Sequence, residues 1–307
     1  MEKINTAIVT GPTGAIGLAL VRLLSEKTIE TYAVCHPGSD RNDTLPKNQY
    51  VHKVFCNLED LKDLPDMIGT GADAFFHLAW KGTGNRTNRM DMYLQNDNVK
   101  YALDSVLVAD ILGCRVYVGA GSQAEFGNVE GVLHSDMPEH PVTGYGMGKL
   151  CAGQMTQVMC KERGIRHIWP RIVSVYGPGD GSGTLISTVI NSLNEHRIPK
   201  LTAGEQIWDY LYSGDAAEAL LRMAESGQDG AKYVLGSGQT RTLREYVESI
   251  RDSINSDAKL GIGKIPYLPN QVMHLEADIS DLTADTGWKP ETTFEEGIRK
   301  TIGEING

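Results

Sequence analysis

Long apolar runs are missing from this chain of 307 residues. No segment approaches the roughly 18 consecutive apolar residues that indicate a membrane span. The opening residues, MEKINTAIVTG, also lack the apolar core of a signal peptide. We therefore expect a soluble, cytoplasmic protein with no membrane partner.

Paired cysteines and metal-ligand spacings are missing as well. The 5 cysteines form no Cys-x-x-Cys pair, and the 8 histidines form no His-x-x-x-His pair. Such scatter is typical of free thiols in a reducing compartment and argues against a disulfide framework or a zinc site. We expect no bound metal.

Positive charge is scarcer than negative charge. The chain has 29 Lys and Arg against 39 Asp and Glu, for a net charge of -10. This balance disfavours nonspecific attraction to nucleic acid or to an anionic membrane. An anionic small molecule would need a local cluster of donors, because the overall field does not attract it.

Short β-rich apolar runs alternate with amphipathic segments along the first half of the chain. The runs predict strands at residues 7–10, 32–35, 53–56, 74–79, 116–118 and 168–175. The amphipathic segments predict helices at residues 17–25, 92–111 and 149–163. Alternation of this kind indicates an α/β fold with a doubly wound parallel sheet of the Rossmann type, covered by helices on both faces.

The pattern loosens in the second half of the chain. Residues 177–183 (GPGDGSG) are rich in turn formers, and further Pro and Gly residues interrupt the second half beyond them. We expect a smaller, mixed C-terminal lobe that holds the substrate, formed by residues 177–206 and 239–307. The dinucleotide-binding domain would then span residues 1–176, with a return near 207–238 in which residues 233–235 add a strand to the main sheet.

A glycine-rich loop follows the first predicted strand. Gly11, Gly14 and Gly17 lie between this strand and the first helix. In a phosphate site the first glycine permits a tight turn, the second lets the backbone approach a pyrophosphate, and the third allows close helix–strand packing. The helix N-terminus supplies free N–H donors to the anion. A plain tight turn is the alternative, and the strand–loop–helix order favours dinucleotide binding.

The end of the second strand bears on the choice of dinucleotide. An NAD site usually has Asp or Glu at this position, to bind the ribose 2′-hydroxyl. Here the strand tip carries no acid, whereas Ser39 and Arg41 follow it with His36 nearby. These residues favour NADP(H), with NAD(H) as the other possibility. Arg41 could instead be a solvated loop charge.

Tyr145 and Lys149 have the spacing that places two side chains on one face of a helix. An ammonium group stabilises a phenolate, so the pair could exchange a proton with a carbonyl or alcohol group. Ser122 follows the predicted strand at residues 116–118, at a carboxyl end of the sheet where doubly wound proteins place ligands. The alternatives are that Tyr145 and Lys149 are an ordinary surface pair and that Ser122 is only a turn residue.

Taken together, these residues resemble the extended short-chain dehydrogenase/reductases of the NAD-dependent epimerase/dehydratase family. The resemblance also rests on five further segments, which are His77–Ala79, Asn98-Val99, RIVSVYGP from Arg171, QIWDYLYSGD from Gln206 and LTADTGWKP from Leu282. It spans essentially the whole chain and is strongest toward nucleotide-sugar epimerases, dehydratases and 4-ketoreductases. It implies that Tyr145 is the acid/base, that Lys149 lowers the pKa of Tyr145, and that Ser122 binds the substrate oxygen.

The resemblance also implies a set of ligand contacts. The expected cofactor contacts are Gly11, Thr13, Gly14, Ala15, Ile16, Gly17, His36, Ser39, Arg41, Asn57, Leu58, Leu78, Ala79, Trp80, Asn98 and Lys149. The expected substrate contacts are Ser122, Gln123, Tyr145, Ser174 and Trp208. The helices at residues 92–111 and 149–163 correspond to those that form a homodimer contact in relatives, although plain packing against the sheet would account for their apolar stripes equally well.

Departures from the family pattern reduce the number of reactions that the site could catalyse. The 4,6-dehydratases of this family carry Thr-Asp-Glu where this chain has Ser122, Gln123 and Ala124, so the proton-transfer groups for loss of water are absent. Glu125 is shifted by one residue and is expected to point elsewhere. Trp208 stands where many relatives have an arginine that contacts the substrate diphosphate, and it could equally be a packed core aromatic. Arg171 could be a structural ion-pair partner.

The sequence thus favours an NADPH-dependent reductase of a 4-keto nucleotide sugar. A 4-epimerase with tightly bound NAD is the alternative, because the same residues could serve it. A dinucleotide-binding sensor without catalysis is disfavoured, because Ser122, Tyr145 and Lys149 are all present.

Overall fold

The structure, a computed structural model, describes residues 3–269 and 271–305. The strands are β1 (Thr6–Thr10), β2 (Glu30–Cys35), β3 (Val51–Phe55), β4 (Ala74–His77), β5 (Val116–Gly119), β6 (Gly121–Ser122), β7 (Gly131–Leu133), β8 (Arg166–Ile168), β9 (Arg171–Ile172), β10 (Val175–Tyr176), β11 (Ile207–Asp209), β12 (Leu211–Tyr212), β13 (Val234–Leu235), β14 (Thr240–Thr242) and β15 (His274–Ala277). The α-helices are α1 (Ala15–Glu26), α2 (Leu64–Ile68), α3 (Arg86–Met90), α4 (Met92–Ile111), α5 (Gly144–Glu162), α6 (Leu185–Asn194), α7 (Ser213–Ser226), α8 (Leu243–Ile254), α9 (Ser280–Thr286) and α10 (Phe294–Ile305).

The central sheet has six parallel strands in the order β3-β2-β1-β4-β5-β8. Alternate residues of each strand face opposite sides of a sheet. In β1, Ala7 and Val9 join a core with α1 and α7, whereas Ile8 joins a core with α4. Apolar side chains therefore cover both faces, which confirms the predicted doubly wound α/β fold. The reversal of strand order between β1 and β4 opens a crevice at the carboxyl ends of these strands.

The strand predicted at residues 168–175 is not continuous, so that prediction was wrong. It is divided into β8, β9 and β10, and Pro170 lies at the first break. Proline has no backbone N–H to donate to a ladder. Beyond it, β9 pairs with β6 and β13 in a separate three-stranded parallel sheet. The returning strand β13 therefore pairs with β9 in this separate sheet and does not join the six-stranded sheet as expected.

The smaller sheet is mixed and has the order β14-β11-β15-β7. The pairing of β11 with β14 is antiparallel, whereas β11 with β15 and β15 with β7 are parallel. A second apolar core joins α6, α8 and α10 through residues such as Ile190, Ile250 and Ile298. The mixed C-terminal lobe was predicted, but the contribution of β7 from the first half of the chain was not.

Helices α4 and α5 pack against one another on one face of the central sheet. Their outer surfaces carry several exposed apolar side chains, among them Tyr93, Ile111, Met155 and Val158. Neither these helices nor any other within the described ranges is long and apolar enough to cross a membrane. The apolar outer surface of α4 and α5 therefore faces water in a single copy of the chain.

Candidate active site

The glycine loop is shaped by two close approaches of backbone to backbone. Gly11 has a φ of 69°, and a β carbon there would lie 2.8 Å from the amide nitrogen of Ala79. A β carbon on Gly17 would lie 2.1 Å from the carbonyl oxygen of Gly11. Any side chain at either position would push β1, α1 and the segment after β4 apart. These two glycines are therefore required by the fold itself.

Gly14 differs because its surroundings are open. A β carbon on Gly14 would meet only the Gly11 oxygen, at 3.7 Å. Gly14 is also the N-cap of α1, where no side chain caps the helix and no acidic residue lies in the first turn. The N–H groups of Ala15, Ile16 and Gly17 begin this helix and point toward the same space. The open cradle and the positive helix end fit a dinucleotide pyrophosphate.

Arg41 lies against this loop. Its guanidinium donates hydrogen bonds to the carbonyl oxygens of Thr13 and Gly179, and so joins the glycine loop to the turn at residues 177–183. Ser39 is half-buried, and the exposed ring of His36 accepts a hydrogen bond from Gly38 at 3.2 Å. Arg41 is thus held in place and is not a freely solvated loop charge.

The segment after β4 is held from two sides. Thr10 Oγ1 lies 3.0 Å from His77 Nδ1 and accepts a hydrogen bond from the amide of Ala79 at 3.3 Å. Buried Asn98 accepts from the amide of Lys81 at 2.8 Å and donates to the Lys81 carbonyl oxygen at 2.9 Å. Asn98 therefore fixes the path of this loop, and its amide group is already engaged.

The remaining expected cofactor contacts line two strand ends. Leu78 follows β4, and its amide donates to the Thr10 carbonyl oxygen at 3.3 Å. Asn57 and Leu58 follow β3, where Asn57 caps a short 3₁₀ helix and donates to Asp60 at 3.2 Å. Both segments lie at carboxyl ends of the central sheet, beside the glycine loop.

Trp80 contacts both Tyr145 and Lys149 directly. Its Nε1 donates to Gln95 Oε1 at 2.7 Å, which fixes the orientation of the indole. Lys149 Nζ lies 3.8 Å from the centre of the indole ring, and the Tyr145 ring packs edge-on at 6.2 Å. Trp80 therefore helps to order both residues.

Ser122 is held by a buried carboxylate that the sequence had not singled out for this role. Glu125 is fully buried and accepts hydrogen bonds from the Ser122 amide at 2.8 Å and from Trp169 Nε1 at 3.0 Å. Its second oxygen pairs with Arg171 Nε at 3.1 Å. Arg171, also fully buried, pairs further with Glu139. Glu125 thus faces inward, as expected, and Arg171 is its ion-pair partner.

Helix α5 begins close to the Ser122 turn. Thr143 Oγ1 caps the helix by accepting from the Gly146 amide at 3.0 Å. A β carbon on Gly146 would lie 2.3 Å from the Ala124 carbonyl oxygen, so glycine permits this approach. The helix therefore starts five residues before the predicted position 149. Tyr145 and Lys149 both lie in its first two turns, next to Ser122.

The ionisation of the pair depends on burial. Burial raises the pKa of Tyr145, whereas a hydrogen bond with Ser122 and the charge of Arg89 lower it, and Glu125 raises it. Burial lowers the pKa of Lys149 to about 7, and Glu125 opposes this change. The Lys149 ammonium donates to the Ala120 carbonyl oxygen at 2.6 Å. Its charge is therefore marginal at neutral pH.

A cleft of about 790 Å³ opens beside these residues. Gln123 and Ala124 line it from the Ser122 turn, and Arg86 and Arg89 line it from α3. Within residues 3–269 and 271–305, neither arginine forms an ion pair with a carboxylate. Neither arginine was predicted from the sequence, although two arginines spaced by three residues after a strand end could have indicated positive charge at the cleft.

Ser174 and Trp208 lie farther along, in the smaller lobe. Trp208 Nε1 donates to Ser174 Oγ at 2.9 Å, so each of these expected substrate contacts partners the other. Trp208 lines a second, mainly apolar cavity of about 340 Å³ with Tyr210 and Leu243. Gln271 lines both this cavity and the larger cleft. The two spaces are therefore neighbours at Gln271.

Comparisons with known proteins identify relatives of this chain. A sequence model of the NAD dependent epimerase/dehydratase family matches residues 7–236. The dTDP-4-dehydro-6-deoxyglucose reductase of Escherichia coli is 26% identical to this chain over 315 residues, and the match covers 98% of each protein.

Two solved structures share the fold. UDP-N-acetylglucosamine 4-epimerase from Methanobrevibacter ruminantium M1, in complex with UDP-N-acetylmuramic acid, has a TM-score of 0.88 at 21% identity, covering 100% of this chain and 99% of that chain. RMD from Pseudomonas aeruginosa, complexed with NADPH, has a TM-score of 0.79 at 21% identity, covering 98% of each chain. At such identities the likeness concerns the fold.

Proposed function

Because the chain belongs to the NAD-dependent epimerase/dehydratase family, we propose that it is an NADPH-dependent reductase of a 4-keto nucleoside-diphosphate sugar. The observation that carries this proposal is the meeting of Ser122, Tyr145 and Lys149 behind Arg89 and Gln123, which line the cleft. The similarity over nearly the full length to a dTDP-4-dehydro-6-deoxyglucose reductase supports it.

In the proposed reaction a bound nicotinamide dinucleotide supplies the hydride. Tyr145 donates its phenolic proton to the substrate oxygen as negative charge develops there. Ser122 donates a hydrogen bond to the same oxygen, since its own amide is held in place by Glu125. Lys149 fixes the pair against Trp80 and the Ala120 carbonyl oxygen.

The cofactor would occupy the open cradle at Gly14 and the N-terminus of α1. Preference for NADP(H) rests on the tip of β2, which carries no acid, and on Ser39 and Arg41, which follow it on either side of Asp40. Arg41 lies on the glycine loop, where a fixed positive charge favours an added phosphate. Asn57, Leu58, Leu78 and Ala79 would border the same site.

The substrate would lie in the cleft between the lobes, with its nucleoside end in the cavity lined by Trp208. We assign dinucleotide binding to residues 1–176 and the return near 207–238, apart from β7 and β11, which belong to the sheet of the smaller lobe. Substrate binding is assigned to residues 177–206 and 239–307, together with these two strands. Arg86 and Arg89 offer positive charge to an anionic sugar nucleotide, in a protein of net charge -10.

Loss of water from the sugar is disfavoured by the residues beside Ser122. Gln123 and Ala124 line the cleft where a dehydratase requires an acid and a base, and neither side chain exchanges protons in this way. Glu125 cannot substitute, because both its oxygens are engaged inside the protein. Hydride transfer without elimination is the remaining reaction.

The test is to mix the protein with NADPH and a 4-keto-6-deoxy nucleotide sugar and to follow absorbance at the reduced nicotinamide band. We expect net NADPH consumption, abolished by Tyr145→Phe, with dinucleotide affinity of that variant unchanged within a few fold. A protein that retains NAD on purification and interconverts 4-epimers without net consumption would instead be the epimerase. Unchanged turnover in Tyr145→Phe would remove this residue from the mechanism.

A further inference from the structure

Arg89 lies directly on the catalytic tyrosine. Its guanidinium carbon is 4.4 Å from the centre of the Tyr145 ring. It reaches this position because α3 packs against the start of α5. The stacking of a guanidinium on an aromatic face is an attractive cation–π contact. No carboxylate in the described part of the chain pairs with Arg89, so its charge is not neutralised.

The other charged groups around Tyr145 differ in their distance from its ring and in the pH range over which they stay charged. Lys149 Nζ lies 5.8 Å from the ring centre, and the pKa of this amine is lowered to about 7 by burial. A guanidinium stays protonated at every pH that the protein tolerates. Glu125 is the acidic group that faces the phenol, and its charge is shared with buried Arg171. Arg89 is therefore the nearer and the more permanent of the two cations.

We propose that Arg89 is a positioning residue for proton transfer: stacked on Tyr145, it stabilises the phenolate and holds the ring toward Ser122. This inference deepens the proposed function and rests on the acid/base role given there to Tyr145. Part of the lowering of the Tyr145 pKa that was expected of Lys149 is thereby assigned to a residue of α3. Lys149 then serves mainly to hold the geometry, through Ala120 and Trp80.

The charge of Arg89 changes how readily the phenol ionises. With Arg89 in place, the negative charge that forms on Tyr145 after proton donation has a cation at van der Waals distance, so the proton is given up more readily. Without that charge, only the hydrogen bond with Ser122 opposes burial and Glu125, so the pKa of the phenol is higher and it holds its proton more strongly. An opposite charge at this distance shifts a pKa by on the order of one unit.

The test measures ionisation at position 145 and requires no turnover. Difluorotyrosine, which ionises at lower pH than tyrosine, is placed at position 145, and its ¹⁹F NMR shift is followed against pH. The titration is made with Arg89 intact and in the variants Arg89→Met, Arg89→Lys and Arg86→Met. Arg86→Met is the matched control, because it removes the same charge from the same helix and the same cleft.

We expect Arg89→Met to raise the pKa at position 145 by on the order of one unit. In Arg89→Lys the pKa should return most of the way to its value with Arg89 intact. Arg86→Met should change it by a few tenths at most. An equal pKa in Arg89→Met and in the unmodified background would overturn the proposal, as would an equal shift in Arg86→Met. A protein that titrates as expected but reduces no keto sugar would keep this inference and reject the proposed function.

Discussion

Glu125 is a single buried side chain that holds several residues of the site in place. Its two oxygens hold the Ser122 amide, the Trp169 indole and the Arg171 guanidinium, all inside the protein. A buried carboxylate in this position requires such partners, because an unpaired buried charge is strongly destabilising. The backbone of Ser122 is therefore fixed by a carboxylate that lies inside the protein.

Arg41 allows a direct test of cofactor choice. We expect Arg41→Met to weaken NADPH binding by about tenfold or more, because a charge-assisted hydrogen bond contributes about 1.5–3 kcal/mol. NADH binding should change little, and calorimetric titration of both dinucleotides measures the difference. Equal losses for both would mean that Arg41 acts only by joining Thr13 to Gly179.

Lys149 should make stability depend on pH. Its folded pKa is about 7, below the value of 10.5 for the exposed amine. Between these values the unfolded chain binds the proton and the folded chain does not, so the free energy of unfolding rises with pH. From about pH 7.5 to 9.5 the wild type should gain on the order of 1 kcal/mol per pH unit relative to Lys149→Met. Denaturant unfolding measures this, and parallel curves for the two proteins would contradict it.

At the scale of elements, the glycine loop gives a matched pair of variants. Gly14→Ala meets open space, so it should leave the melting temperature nearly unchanged while reducing dinucleotide affinity by at least about tenfold. Gly17→Ala places a methyl group 2.1 Å from a backbone oxygen and should destabilise the fold by about 1–3 kcal/mol.

Calorimetry and thermal unfolding separate the two effects. If Gly14→Ala bound NADPH as tightly as the wild type, the pyrophosphate could not lie against this residue. If Gly17→Ala were as stable as the wild type, the packing of α1 on β1 would be looser than described.

Elements with a strong local pattern were predictable from the sequence. The helix predicted at residues 92–111 has those bounds, because its apolar positions and its Asp91 cap act locally. The division of residues 168–175 was not predictable, because it depends on partners β6 and β13 that lie far away in the chain. Arg89 was missed for the same reason, since its contact with Tyr145 forms only when α3 meets α5.

At the scale of the whole molecule, the exposed apolar surface of α4 and α5 predicts a homodimer. Val158 is 59% exposed and Ile111 is 68% exposed, and such surface favours burial against a second copy. We expect the wild type to sediment at twice its mass of 33.5 kDa.

Val158→Glu should convert the dimer to monomers, because burying an unpaired carboxylate in an apolar contact is unfavourable. Ile198→Glu is the control, since Ile198 is 56% exposed but lies in the other lobe. Light scattering of the three proteins decides the point. A wild type of one-chain mass, or a Val158→Glu protein that remains dimeric, would contradict this assignment.

The central claim is that the chain transfers a hydride from NADPH to the carbonyl carbon of a nucleotide sugar. The most direct measurement uses NADPH deuterated at the transferred position, with mass spectrometry and NMR of the sugar product. We predict one deuterium on the former carbonyl carbon for each NADPH consumed, and none with Tyr145→Phe. A product without deuterium, or epimerisation with the added cofactor left intact, would contradict the account.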